Sequence, residues 1–123
     1  MILSISDTQA RVLIAALDHY SRMGMGQLWT IAETLCALRP EECKDAWDIR
    51  DRFTVPMQYA LFGYPPNASA GICSPVVCPY AKIAYDMLCV IRRPFSNGND
   101  VWSGQPLHTY KQEPLAKVLE EDK

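Results

Sequence analysis

Long apolar runs, histidine clusters and an excess of charge of one sign are all missing from these 123 residues. No stretch approaches the ~20 apolar residues that a helix needs to cross a bilayer. A secretory signal requires a basic segment ahead of roughly 7–15 apolar residues. Here Asp7 and Arg11 precede Val12–Leu17, a run of only six. These absences lead to the expectation of a cytoplasmic protein. Six basic residues face eight acidic ones over residues 1–62, and six face six over 63–123, for a net charge of −2. That balance excludes a global electrostatic footprint for duplex nucleic acid or an anionic membrane, and leaves room only for a local basic patch.

Catalytic signatures are equally scarce. There is no Walker loop, no dinucleotide fingerprint following a strand and no His-Glu-x-x-His. Nucleophilic catalysis would need His19 or His108 beside a Cys or Ser and an orienting acid. His19 falls at the edge of a helical apolar face and His108 in a polar tail, so an enzyme is not expected. Five cysteines, Cys36, Cys43, Cys73, Cys78 and Cys89, are an odd number without a secretion signal. They are read as free thiols, with no fold dependence on a cross-link or a metal. Cys73 and Cys78 are separated by four residues, but a closed zinc site needs a second ligand pair and none is apparent. No cofactor is expected.

What the chain does contain is helical period. With 49% hydrophobic residues it can build one packed core over residues 1–123. Ser6 and Gln9 have capping-box spacing, and Ala10, Leu13, Ile14, Leu17 and Tyr20 follow at helical intervals, predicting a first helix over about 7–23. Asp7 with Arg11 and Asp18 with Arg22 are spaced for solvated i,i+4 pairs. Gly24 and Gly26 break this helix. Leu28, Ile31, Leu35 and Leu38 restart the period, predicting a second helix from about Gln27 to Leu38 and an antiparallel hairpin. Pro40, Glu41 and Glu42 resemble the first turn of a third helix, with Cys43, Ala46, Trp47, Ile49 and Phe53 on its buried side and Pro56 as its limit. Residues 57–64 fit neither period, and 65–71 are loop chemistry. Tyr80, Ala84, Met87, Leu88 and Ile91 mark a fourth helix over about 79–93.

From about residue 95 the apolar positions become sparse. Residues 96–100 read as a turn. The tail is expected to lie extended, with Trp102, Leu107 and Leu115 as anchors and residues 120–123 frayed. The fold class is therefore mainly α, a compact single-domain helical bundle with an antiparallel hairpin and an extended C-terminal tail. Three tryptophans and six tyrosines exceed what so short a helical core encloses, which predicts a homo-oligomer, most simply a dimer.

Two segments carry candidate binding chemistry. In Tyr20-Ser21-Arg22-Met23-Gly24-Met25-Gly26-Gln27, glycines ahead of a helix can expose backbone N–H groups at its positive end, with Ser21, Arg22 and Gln27 as further anion donors. The competing reading is a tight interhelical turn in which Arg22 pairs with Asp18 while Met23 and Met25 fill the core. On the fourth helix, Tyr85 and Arg92 are seven residues apart and share one flank, with Asp86 and Arg93 further round. A ring beside a guanidinium can stack on a base and reach its phosphate. The plainer reading is a boundary tyrosine and two arginines that favour the negative helix end.

The first of these segments, together with Ala84-Tyr85-Asp86 and Val90-Ile91-Arg92, resembles a family of small uncharacterised phage and prophage proteins in which a capped helix leads into a Tyr-x-Arg-x-x-x-Gly-Gln turn. Leu28 and Trp29 depart from the acidic stretch expected after the glutamine, and the Cys73–Cys78 loop lies outside the resemblance. The resemblance implies an accessory protein acting in the host-cell cytoplasm, of the kind that antagonises host defence by sequestering a nucleotide signal or binding an immune protein. The resulting expectation is a non-enzymatic binding protein. Its ligand site would lie where the first interhelical turn approaches the fourth helix, with Arg22, Gly24, Gly26, Gln27, Tyr85 and Arg92 as contacts. The alternatives are a structural or protein-interaction module without a ligand site and, third, a small Cys- or His-dependent enzyme.

Overall fold

In the computed structural model, which describes residues 1–95 and 108–119, the Ser6 capping box is complete. The Ser6 hydroxyl accepts from the Gln9 N–H at 3.1 Å and the Gln9 side chain accepts from the Ser6 N–H at 2.9 Å. Helix α1 then runs Asp7–Gly24. Helix α2 spans Trp29–Leu38. Helix α3, Ala46–Ile49, a π turn, Arg50–Thr54, and helix α4, Val55–Phe62, follow one another without a break. Helix α5, Pro79–Arg92, ends in a 3₁₀ turn, Arg93–Phe95. Among the described residues there is no strand. The chain is thus a single helical domain, and no described helix is long and apolar enough to cross a membrane.

The main helix pair is α1 against α5, and it is antiparallel: Gly24 at the end of α1 meets Ala81 near the start of α5, while Arg11 lies over the ring of Phe95 at the far end. Gly24 is required by contact, because a Cβ there would lie 2.3 Å from the Ala81 Cβ. Ala81, Ala84 and Leu88 form the buried seam of α5, and full burial of one leucine stabilises by about 1.5–3 kcal/mol. Helices α1 and α2 are linked across their turn by a hydrogen bond between His19 Nε2 and Thr34 Oγ1. On its other side α2 packs against α3 and the π turn.

The third helix differs from its sequence reading at both ends. Residues 40–42 form a turn, and the helix starts at Ala46 because Asp45 caps it, accepting from the Asp48 N–H at 3.1 Å. Arg39, the residue ahead of Pro40, has no side-chain oxygen to offer as a cap. Pro56 does not stop the rod. The Val55 N–H reaches back to the Arg50 carbonyl, and this wider π ring lets Pro56 sit in the first turn of α4, where its missing donor costs nothing. The ambiguous 57–64 segment therefore begins as helix and ends at Gly63. Trp47 and Phe53, expected on the buried side, are 66% and 55% exposed. Tyr80, assigned to the apolar stripe of the fourth helix, is also exposed.

The thiols, too, differ from expectation. Cys36 and Cys43 are joined by a disulfide across the α2–α3 connection, while Cys73, Cys78 and Cys89 remain thiols. The Arg39–Glu42 ion pair lies within the same closed loop. The odd total had concealed one local pair seven residues apart.

The polar group at the centre of the fold is Gln58, which is fully buried. Its side-chain oxygen accepts from the Leu28 N–H at 2.9 Å, closing the N-terminus of α2 where no residue of that helix supplies a cap. Its amide group donates to the carbonyls of Pro65 and Ala68 at 3.1 and 3.2 Å. One side chain thus joins α4, the turn before α2 and the loop after Gly63. A second buried polar residue, Asp86, holds the tail: its carboxylate accepts from Thr109 N–H and Oγ1 and from Tyr110 N–H, at 2.7–3.1 Å. Residues 114–119 have no regular secondary structure, and Leu115 is half-buried. The expected turn at 96–100, the anchors Trp102 and Leu107, and the frayed end at 120–123 lie outside the described residues.

Replacing Gln58 by alanine strands one buried N–H and two carbonyls, so stability falls by about 2–4 kcal/mol; chemical denaturation checks this, and a loss under ~0.5 kcal/mol would refute the role given to Gln58. Reducing Cys36–Cys43 opens a short loop and lowers stability by about 2–3 kcal/mol, which shows as a fall in Tm on adding reductant.

Candidate functional site

Helical period places Arg11, Asp18 and Arg22 along one side of α1, at i, i+7 and i+11, and Tyr85 and Arg92 along one side of α5 at i and i+7. Because the two helices lie antiparallel, these rows face a common cleft. Its larger lobe, about 440 Å³, lies between Arg11, Asp18 and Arg22 on one wall and Arg92 and Phe95 on the other. Its smaller lobe, about 300 Å³, is bounded by Arg22, Gln27, Tyr85 and Arg92, with Met25 and Ile72 as apolar walls. Asp18, Arg22 and Arg92 line both lobes and so form a shared waist. Three guanidinium groups against one carboxylate make the cleft locally cationic in a chain whose net charge is −2.

Arg22 is held in place from both sides. Its Nε donates to Asp18 Oδ2 at 2.9 Å and its Nη1 to Gln27 Oε1 at 2.8 Å. Gln27 in turn donates to Ser69 Oγ at 3.0 Å, and the Ala70 N–H donates to the Met25 carbonyl at 3.0 Å. The polar chain from Asp18 through Arg22 and Gln27 to Ser69 fixes the direction of the guanidinium. It uses two of its five N–H donors. An arginine restrained in this way loses little further freedom on engaging an anion.

The Tyr85 phenol is pushed well above its ordinary range, chiefly by burial; Cys89 acts in the same direction through its charge and a hydrogen bond, and Arg92 opposes both. The phenol stays protonated at neutral pH, its O–H engaged with Cys89, so what it offers the cleft is its ring. At the other end Arg11 lies with its guanidinium carbon 4.8 Å from the Phe95 ring centroid, in place of the expected pair with Asp7.

Of the six residues expected from sequence, Arg22, Gln27, Tyr85 and Arg92 meet around this cleft. The two glycines serve packing instead. Gly24 faces Ala81, and Gly26 has a φ of +81° with Tyr64 so close that a Cβ would lie 2.6 Å from its ring. Nor does the turn offer open N–H groups: Met25, Gly26 and Gln27 all donate to carbonyls of residues 21–23, and Leu28 donates to Gln58. The N–H groups of the turn are taken up by the protein itself. Ser21 is likewise committed, donating its hydroxyl to the Asp18 carbonyl.

Arg11, Asp18, Ile72 and Phe95 were not singled out from the sequence. The first two had a legible signal, since they share the α1 face with Arg22, but their spacing also suits solvated pairs. Elsewhere His19 is engaged by Thr34 and His108 by the Glu113 carbonyl. Among the described residues no three His, Cys, Asp or Glu side chains are placed to hold a metal ion. Comparison with protein-family models, curated proteins and solved structures finds no match to this chain, so the functional reading rests on the chemistry of the cleft.

Proposed function

We propose that this chain is a non-enzymatic binding protein that captures a small anionic ligand, such as a nucleotide, in the cleft between α1 and α5. The observation that carries the reading is convergence: Arg22, Tyr85 and Arg92, distant in sequence, line one cavity whose neighbouring lobe adds Arg11 and Phe95. Packing does not require cationic side chains from two helices to face the same space. A cleft of this size with a few convergent polar groups has the form of a small-molecule site. The resemblance of the Tyr20–Gln27 turn to phage proteins extends the proposal to an accessory, anti-defence role, in which the ligand is a host nucleotide signal. That role places the protein in the host cytoplasm, where the Cys36–Cys43 pair would be kept reduced.

A second reading, capture of a host protein or self-association, is favoured by a different surface. Trp47, Phe53, Met57 and Leu61 are all exposed along the α3–α4 rod, and the last three recur at i, i+4 and i+8. Exposed aromatics in such a row are typical interface anchors. We therefore propose a homo-oligomer.

Titration calorimetry with adenosine and guanosine phosphates tests the ligand reading. Wild-type protein should bind, more weakly as salt is raised, and Arg22→Ala and Arg92→Ala should abolish binding. Arg22 and Asp18 are each about a third exposed, so removing their pair changes stability by only ~0–1 kcal/mol. If both variants unfold, the arginines are structural and the proposal falls. For assembly, sedimentation at micromolar concentration should show a species larger than 13.9 kDa that Trp47→Ser with Phe53→Ser dissociates; a wild-type monomer would refute it.

A further inference from the structure

We infer that the cleft is shaped for a free dinucleotide, with two bases flanking a central phosphodiester or pyrophosphate. This rests on the anion-binding reading above and adds to it the arrangement of the ligand. The cations that serve both lobes are at the middle: Arg22 and Arg92 line the larger and the smaller lobe alike. Each lobe then adds one aromatic side chain of its own, Phe95 in the larger and Tyr85 in the smaller. Negative charge in the centre and a flat ring at each end is the layout of a dinucleotide. A mononucleotide with its phosphate at the waist fills one lobe and leaves the other to water.

Size agrees with this division. The lobes, about 440 and 300 Å³, each reach the range of small-molecule sites, roughly 300–1,000 Å³. In the larger lobe the Arg11 guanidinium and the Phe95 ring form a stacked pair that a base can extend. In the smaller, Met25 and Ile72 give apolar walls and the Tyr85 ring gives a stacking face. Asp18 refines the choice at the waist. Its Oδ2 accepts from Arg22, and its other oxygen can accept from a ribose hydroxyl or an exocyclic amine. Inorganic phosphate brings neither a ribose nor an exocyclic amine to that oxygen, so Asp18 favours a nucleotide over it.

The same unit occurs within single-stranded nucleic acid, but strand binders track the backbone with an extended basic groove, and here the chain carries a net charge of −2. The test is calorimetric titration of the full chain with adenylyl-adenosine, diadenosine pyrophosphate, their guanine counterparts, AMP, GMP and a ten-residue oligoadenylate. At least one dinucleotide should bind about tenfold or more tighter than either mononucleotide. Phe95→Leu and Tyr85→Leu, checked for folding by circular dichroism, should each reduce that advantage about tenfold, and Tyr85→Phe should retain most of it. Equal affinity for mono- and dinucleotides overturns the inference and leaves the anion-binding reading standing. No binding of any probe overturns both. Affinity that appears only with the oligonucleotide makes the ligand a strand, and equally overturns the inference.

Discussion

Three hydrogen bonds to one buried side chain hold together the parts of this fold that helix packing alone does not join. Gln58 satisfies the Leu28 N–H at the start of α2 and the Pro65 and Ala68 carbonyls in the following loop. In an apolar interior each of those groups, left unpaired, would cost about 1–3 kcal/mol. Paired, they fix the loop against the interhelical turn. From that loop Ser69 accepts the Gln27 amide, and Gln27 orients Arg22. The direction of a guanidinium in the cleft is therefore set by a glutamine on a different helix, through two intermediates.

Close approach of α1 and α5 supplies the other constraint. Contact at Gly24 and Ala81 brings the helices together at one end, and Arg11 stacks on Phe95 at the other. Between these points the cationic row of α1 faces Tyr85 and Arg92 across the seam. Asp86, one residue and about 100° round the helix from Tyr85, uses a different face of α5 to hold Thr109 and Tyr110. One helix thus serves the cleft on one side and anchors the tail on another, without either carboxylate or phenol being shared.

Elements written in local chemistry were legible from the sequence. The Ser6–Gln9 box, the glycine break after α1 and the proline at the head of α5 each act within a few residues, and all three appear where the spacing put them. Arg22, Gln27, Tyr85 and Arg92 could be picked out because the first two flank a glycine turn and the last two share one flank of a helix at i and i+7. Features that depend on partners far along the chain were not legible. Nothing in the pattern around Gln58 distinguishes it from an exposed glutamine on an ambiguous segment, and its partners lie up to 30 residues away. Gly24 and Gly26 looked like an anion cradle because glycine serves close packing and exposed N–H groups equally well; Ala81 and Tyr64 decide between them. The π turn hid α4, since Pro56 reads as a breaker unless the ladder shifts ahead of it.

Through its hydrogen bonds Gln58 locks the turn and the loop into the same cooperative unit as the helical core. Native-state hydrogen exchange of the Leu28 amide addresses this directly, because that N–H has no helical acceptor and depends on Gln58 alone. Leu28 should exchange as slowly as the Leu88 amide in α5, only through global unfolding. Exchange of Leu28 at the rate of an exposed loop amide, with Leu88 still protected, would contradict it.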